Sequence, residues 1–85
     1  KYPAPTLNML AKQGVRAKWM TPSYPSLTFP NHYTIATGLY PNHNGIVANT
    51  IYAPEFNETF SMSKREEVGN GRWWLGEPIW VTAEK

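Results

Sequence analysis

Cysteine and aspartate are both missing from this 85-residue sequence. Without cysteine there can be no disulfide and no thiolate metal ligand. The six acidic residues are therefore all glutamates, and only two histidines, His32 and His43, accompany them. A closed two-metal centre of carboxylates and imidazoles can hardly be assembled from such a set alone. Long apolar runs are missing too: nothing approaches the ~20 residues that a membrane-spanning helix needs, and no leader-type segment is visible. Charge of one sign is scarce. Eight Lys and Arg against six Glu leave a formal +2. The only basic pair, Lys64-Arg65, is followed at once by Glu66 and Glu67. That pattern makes no nucleic-acid footprint, and no binding to a nucleic-acid duplex is expected.

Proline and aromatic residues are plentiful. Eight prolines are spread along the chain, with four Trp, five Tyr and three Phe, and 41% of the residues are hydrophobic. This is too apolar for a disordered chain. The length supports one small domain at most, since a domain of about 60 residues buries only about 60% of the surface its unfolded chain exposes. Lysine stands first, and the last helical pattern reaches Lys85 without a capping signal. Residues 1–85 are accordingly expected to be part of a larger domain, incomplete at both ends.

The spacing predicts a helix over Pro3–Gly14, with Thr6 as N-cap, Leu7, Leu10 and Ala11 on one face, and Gly14 closing it. Val15, Ala17 and Trp19 alternate with Arg16 and Lys18, a short strand pattern. Three prolines between Thr21 and Pro30 impose a loop, and Pro30 suits the first position of a second helix, running from about Pro30 to Thr37 and ending at Gly38. Leu39–Gly45 reads as a turn and Gly45–Tyr52 as a short strand passing into loop. Ala53–Asn70 reads as irregular, and Pro78 opens a last helix carrying Ile79, Trp80 and Ala83. Helices alternating with strands imply an α/β layer, although two strands do not make an independently stable sheet.

Thr28 stands out chemically. It lies at the predicted start of a helix, where unpaired N–H groups and the helix dipole favour an anion, typically a phosphate. A hydroxyl there could attack phosphorus while backbone N–H groups hold the developing charge. On position alone, Thr28 reads first as a simple N-cap and Asn49 as a turn residue, and Phe29 also reads as core packing at the helix start.

The wider segment narrows these alternatives. The run from Tyr24 to Pro41, with Thr28-Phe29-Pro30-Asn31-His32-Tyr33 and Thr37-Gly38-Leu39-Tyr40-Pro41 at its heart, closely resembles the nucleophile segment of the nucleotide pyrophosphatase/phosphodiesterase family. That family lies within the alkaline phosphatase superfamily. Residues 14–20, Gly45–Asn49, Phe60–Lys64 and Arg72–Val81 continue the match, so the resemblance covers essentially the whole chain.

The resemblance implies a fragment of an alkaline-phosphatase-like three-layer α/β/α sandwich. It also implies hydrolysis of nucleotide phosphodiester or pyrophosphate bonds through a threonyl-nucleotide intermediate. Thr28 falls on the family's threonine nucleophile, which also contacts one of two zinc ions. Asn49 falls on the asparagine that holds a non-bridging phosphate oxygen, and Phe29 on an aromatic that stacks on the nucleotide base. Met62 falls on an apolar residue of the same pocket. The zinc ligands lie mostly outside this chain, on an earlier Asp and on later Asp and His residues. The remainder of the catalytic domain is thus an obligatory partner, and the 85 residues alone are expected to be inactive and not to fold stably. His32 is expected to make structural hydrogen bonds rather than to bind metal. Where the family commonly has His before the Gly-Ile pair, this chain has Asn44, with His43 as a partial replacement. Relatives of this type are usually secreted, periplasmic or outward-facing, so an extracytoplasmic location is expected. The substrate alternative is a choline or lysophospholipid phosphodiester, and a further alternative is a non-catalytic ligand-binding relative. Asn57-Glu58-Thr59 is a formal glycosylation sequon. Trp73, Trp74 and Trp80 are expected to be core aromatics.

Overall fold

Prolines stand at or near the start of four of the five described α-helices. Pro5 and Pro41 occupy the first positions of α1 (Pro5–Gln13) and α3 (Pro41–Asn44), where a missing N–H removes no intrahelical bond. Pro30 is the third residue of α2 (Thr28–Thr37), which starts two residues before the expected position, and Pro78 directly precedes the last helix. A computed structural model describes residues 2–85. Beyond α3 it shows a hairpin of β1 (Ile51–Ala53) and β2 (Glu58–Phe60), then α4 (Arg65–Val68), a 3-10 turn over Gly71–Trp73, and α5 (Ile79–Glu84).

Glycines close the two central helices. Gly38 ends α2 at φ 71° and Gly45 ends α3 at φ 86°, both in the left-handed region that glycine enters without steric cost. Gly45 is also crowded: a Cβ there would stand 2.9 Å from Leu75 Cγ and 3.1 Å from the Trp73 carbonyl. Leu75 is tied to the same turn, its N–H donating to the Asn44 carbonyl at 3.0 Å.

The core is small and aromatic. Tyr33, Ile46, Ala53, Phe60 and Trp73 are buried, with Phe29, Ala36, Ile51, Val68 and Trp74 packed around them. Phe60 has no exposed surface. Its ring meets Phe29 at 5.6 Å and both Trp73 and Trp74 at 5.5 Å between centroids. Trp74 in turn stands edge-on to Tyr33 at 4.8 Å. Each such pair contributes about 0.5–1.5 kcal/mol beyond simple area burial. Trp73 and Trp74 are therefore core aromatics, whereas Trp80 is 62% exposed.

Several sequence expectations are corrected. α1 starts at Pro5, one residue before Thr6, so Thr6 does not cap it; Ala4 holds that position with no side-chain bond. Gly14 closes α1 in an extended conformation. Val15–Trp19 forms no strand. A strand is held by a neighbour's ladder of hydrogen bonds, and Val15 and Trp19 are exposed with no strand beside them. The turn at Leu39–Gly45 contains the helix α3, and the strand expected over Gly45–Tyr52 begins only at Ile51. The stretch read as irregular holds β2 and α4. Its hairpin pairs Ile51 with Phe60 and Ala53 with Glu58, antiparallel. The described residues thus form a small mixed helix and strand structure whose sheet has two strands.

The N-terminal segment stands apart from this core. α1 buries no side chain, and Leu7, Leu10 and Trp19 lie on the surface. The radius of gyration is accordingly 16.6 Å, against about 12 Å for a compact chain of this length.

Glu67 organises the segment after the hairpin. Its carboxylate accepts from the Arg72 guanidinium, from Trp73 Nε1 at 3.2 Å and from Asn70 Nδ2 at 3.4 Å. Arg72 also lies over the Phe56 ring, 4.3 Å from its centroid. The Arg72 hydrogen bond, foremost, holds the Glu67 carboxyl below its ordinary range, partial burial opposing it.

This packing generates two predictions, both read in the full-length protein by denaturant unfolding. Gly45→Ala costs about 1–2 kcal/mol from backbone strain alone, and further through the Leu75 contact. Gly38→Ala meets nothing within 4 Å and costs less; equal losses would contradict the Leu75 contact. Because the folded-state pKa of Glu67 is depressed, its contribution is complete above the unfolded carboxylate value and lost as pH falls through the folded one. The stability gap between wild type and Glu67→Gln is therefore widest near neutrality and closes in acid.

Candidate active site at the start of the second helix

Four N–H groups at a helix start have no intrahelical partner. At α2 their fates differ. The Leu27 N–H donates to the Pro25 carbonyl at 2.8 Å. The Phe29 N–H donates to Asn49 Oδ1 at 2.9 Å, across 20 residues of chain. Pro30 has no N–H. The Thr28 N–H is left, with no acceptor among the described residues. Thr28 itself is exposed. One residue thus offers a hydroxyl and an unshared backbone donor at the positive end of a ten-residue helix.

Asn49 caps α2 from outside, because Leu27 in the N-cap position has no side-chain acceptor. Its oxygen is committed to the helix, so the donor end of the carboxamide is the part open to a ligand. The structure therefore brings together Thr28, Phe29 and Asn49, three of the four residues singled out in the sequence. Met62 is not among them. It lies on the exposed segment after β2, 56% accessible, and does not line the groove described below.

Asn31 is a further participant that the sequence reading passed over. Its Oδ1 accepts from the Ser23 N–H at 2.9 Å, and its Nδ2 donates to the carbonyls of Pro25 at 3.1 Å and Leu27 at 3.0 Å. One side chain thereby fastens the proline-rich loop to the helix and fixes the approach to Thr28. An asparagine just inside a helix after such a loop was the available signal, since only a carboxamide can donate and accept at once in this way.

His32 makes the expected structural bond: its Nδ1 lies 2.8 Å from the Thr28 carbonyl. A carbonyl only accepts, so Nδ1 carries the proton. Asn44 is fully buried. It accepts from the Ile46 N–H at 2.9 Å and donates to the Leu39 carbonyl at 3.1 Å. These bonds hold it in the turn, while His43 beside it is exposed.

From Thr28 an open groove of about 630 Å³ runs along α2, lined by Phe29, His32, Tyr33, Ile35, Ala36, Trp74, Ile79 and Trp80. Among the described residues no lysine, arginine or glutamate lines it. Burial pushes the Tyr33 hydroxyl above its ordinary pKa, keeping it neutral. Phe29 is half-buried, its ring edge-on to Phe60 and Trp74, so it packs in the core and borders the groove at once. Among the described residues no three His, Cys, Asp or Glu side chains gather into a metal-binding group. The donor set for a metal cage is not on these elements.

The family model for type I phosphodiesterase / nucleotide pyrophosphatase matches residues 1–85. The chain belongs to this family. It is 49% identical over 79 residues to ectonucleotide pyrophosphatase/phosphodiesterase family member 3 of Bos taurus, covering 93% of this chain and 9% of that protein. Against family member 1 of Homo sapiens it is 50% identical over 80 residues, 94% of this chain and 8% of the relative. An uncharacterised pyrophosphatase/phosphodiesterase of Schizosaccharomyces pombe is 49% identical over 82 residues, 95% of this chain and 17% of its own length. The chain therefore spans a small part of these phosphodiesterase relatives.

The cap predicts a separable effect at Asn49 in the full-length protein. Asn49→Ala removes the acceptor and costs about 1 kcal/mol of stability. Asn49→Asp keeps an acceptor, now charged favourably for a helix start, and retains most of it. Chemical denaturation of both variants checks this; equal losses would show that the cap contributes nothing.

Proposed function

We propose that this chain is the nucleophile-bearing part of an enzyme that hydrolyses nucleotide phosphodiester or pyrophosphate bonds. The supporting observation is the convergence on one helix start of the Thr28 hydroxyl, the unshared Thr28 N–H and the Asn49 carboxamide, in a chain of this family. The names of the mammalian relatives, ectonucleotide pyrophosphatase/phosphodiesterases, point the same way.

In this proposal Thr28 Oγ1 attacks phosphorus and forms a threonyl-nucleotide ester as the leaving alcohol or phosphate departs. Water then cleaves the ester and returns the hydroxyl. The Thr28 N–H and the Asn49 amide nitrogen donate to the non-bridging oxygens as their charge grows. These donors are held by the helix and the cap before substrate arrives, so little reorganisation opposes them. Phe29 offers a face to the base, a contribution of about 1–3 kcal/mol that does not depend on base identity. Met62, from the segment after β2, is assigned a second apolar contact with the same nucleoside.

Two zinc ions complete the proposal, with Thr28 as the ligand from this chain and the others from the remainder of the catalytic domain. Bound there, they would lower the cost of the Thr28 alkoxide. The described residues make no cage by themselves, and the 85 residues alone are proposed to be inactive. The remainder of the domain is proposed to complete a three-layer α/β/α sandwich and to cover exposed Ile35, Ile79 and Trp80 along the groove. Among the described residues no helix is long and apolar enough to cross a membrane. The "ecto" in the relatives' names supports an extracytoplasmic location.

The test is steady-state kinetics of the full-length protein on a nitrophenyl nucleotide ester. Thr28→Ala abolishes turnover, and Asn49→Asp, though stably capped, loses about 10²–10³-fold in kcat. Wild-type rates in Thr28→Ala would remove the mechanism. A higher kcat/KM on a phosphocholine ester than on the nucleotide ester would move the substrate to lipids.

A further inference from the structure

The peptide group between Thr28 and Phe29 is held at both ends by side chains. Its N–H, on Phe29, donates to Asn49 Oδ1 at 2.9 Å. Its C=O, on Thr28, accepts from His32 Nδ1 at 2.8 Å. A carbonyl oxygen has two lone pairs, so the imidazole adds to the helix ladder without displacing it. The two bonds run in one direction. The imidazole donates to the peptide, and the peptide donates to the Asn49 carboxamide, whose own N–H groups have no acceptor among the described residues. His32 is exposed on the groove wall, so burial does not force its ring into this bond. The same construction stands behind the Thr28 N–H. The carbonyl of that peptide, on Leu27, accepts from Asn31 Nδ2 at 3.0 Å.

We propose that His32 is a positioning residue for phosphoryl transfer, acting through the Thr28–Phe29 peptide on the donor strength and aim of the Asn49 amide. The proposal rests on the reading above in which that amide donates to a non-bridging phosphate oxygen. Hydrogen bonds aligned head to tail polarise one another. A donor on the Thr28 carbonyl makes the Phe29 N–H more positive. That N–H then draws more density from Asn49 Oδ1, and the Asn49 N–H groups become stronger donors in turn. The chain thus ends where phosphate charge grows during attack by Thr28. It also fixes geometry. With its carbonyl tied to the next helical turn, the peptide cannot tilt, so the Asn49 oxygen has one place to dock and the amide nitrogen one direction to face. Such pre-set donors are worth most when they need no adjustment as the charge develops. His32 itself touches neither the phosphate nor the nucleophilic oxygen in this arrangement.

The experiment is a double-mutant cycle in the full-length protein, read as kcat and KM on a nitrophenyl nucleotide ester. His32→Ala, which removes the first donor, lowers kcat about two- to eightfold and leaves KM in place. That range follows from strengthening of about 10–30% per bond, applied to a donor whose loss costs about 10²–10³-fold. His32→Asn recovers most of the loss, because a carboxamide reaches the carbonyl four residues back, as Asn31 does at 3.0 Å. In the Asn49→Asp background the last donor is already gone, and His32→Ala lowers kcat no further. A wild-type kcat in His32→Ala overturns the proposal. So does a loss that persists in the Asn49→Asp background, one that His32→Asn fails to recover, or a change confined to KM, which would assign His32 to the groove. Failure of the underlying reading looks different. A wild-type kcat in Asn49→Asp removes the Asn49 donor and the chain behind it together, whereas an impaired Asn49→Asp beside an unaffected His32→Ala removes the His32 role alone.

Discussion

Phe60 is where the parts of this structure meet. It ends β2, is fully enclosed, and touches Phe29 from the helix that carries Thr28 and both tryptophans of the Arg72–Pro78 segment. With Phe60 in place, the start of α2 is fixed against the hairpin. Asn49, just before β1, then comes within hydrogen-bond distance of the Phe29 N–H. The site is thus held by an apolar contact behind the helix and a polar contact at its tip. Both run through Phe29, the residue after the proposed nucleophile.

Three asparagines supply the polar half of this design. Asn31 fastens the loop, Asn44 fills the buried turn and Asn49 caps the helix. Asn31 and Asn44 both donate and accept, Asn49 uses its oxygen alone, and none of the three brings a net charge. A charged side chain in the place of Asn44 would bear the full cost of burial. Neutral groups also leave the potential at Thr28 to the helix end. Charge is used instead on the far side of the core, where Glu67 gathers Arg72, Trp73 and Asn70.

Much of the central helix was legible in the sequence. Pro30, the periodic Tyr33 and Ala36, and Gly38 are local signals, and α2 follows them. Thr28, Phe29 and Asn49 could be nominated together through resemblance, but nothing in their spacing says that an amide oxygen from residue 49 reaches the N–H of residue 29. Such contacts depend on how separate elements pack. The same limit explains the strands. Val15–Trp19 alternates correctly yet has no partner, whereas Glu58–Phe60, only three residues long, is a strand because Ile51–Ala53 lies beside it. Pairing decides, and pairing is not local.

The sorting of the tryptophans has an optical consequence. Trp73 is enclosed, Trp74 is half-buried against Tyr33 and Phe29, and Trp80 stands exposed at the groove wall. Trp19 is exposed on the segment before α2, away from the groove lining. The chain therefore contains its own fluorophores at graded depths around one cleft. Trp74 and Trp80 report on occupancy of the groove, while enclosed Trp73 serves as an internal reference for the integrity of the core.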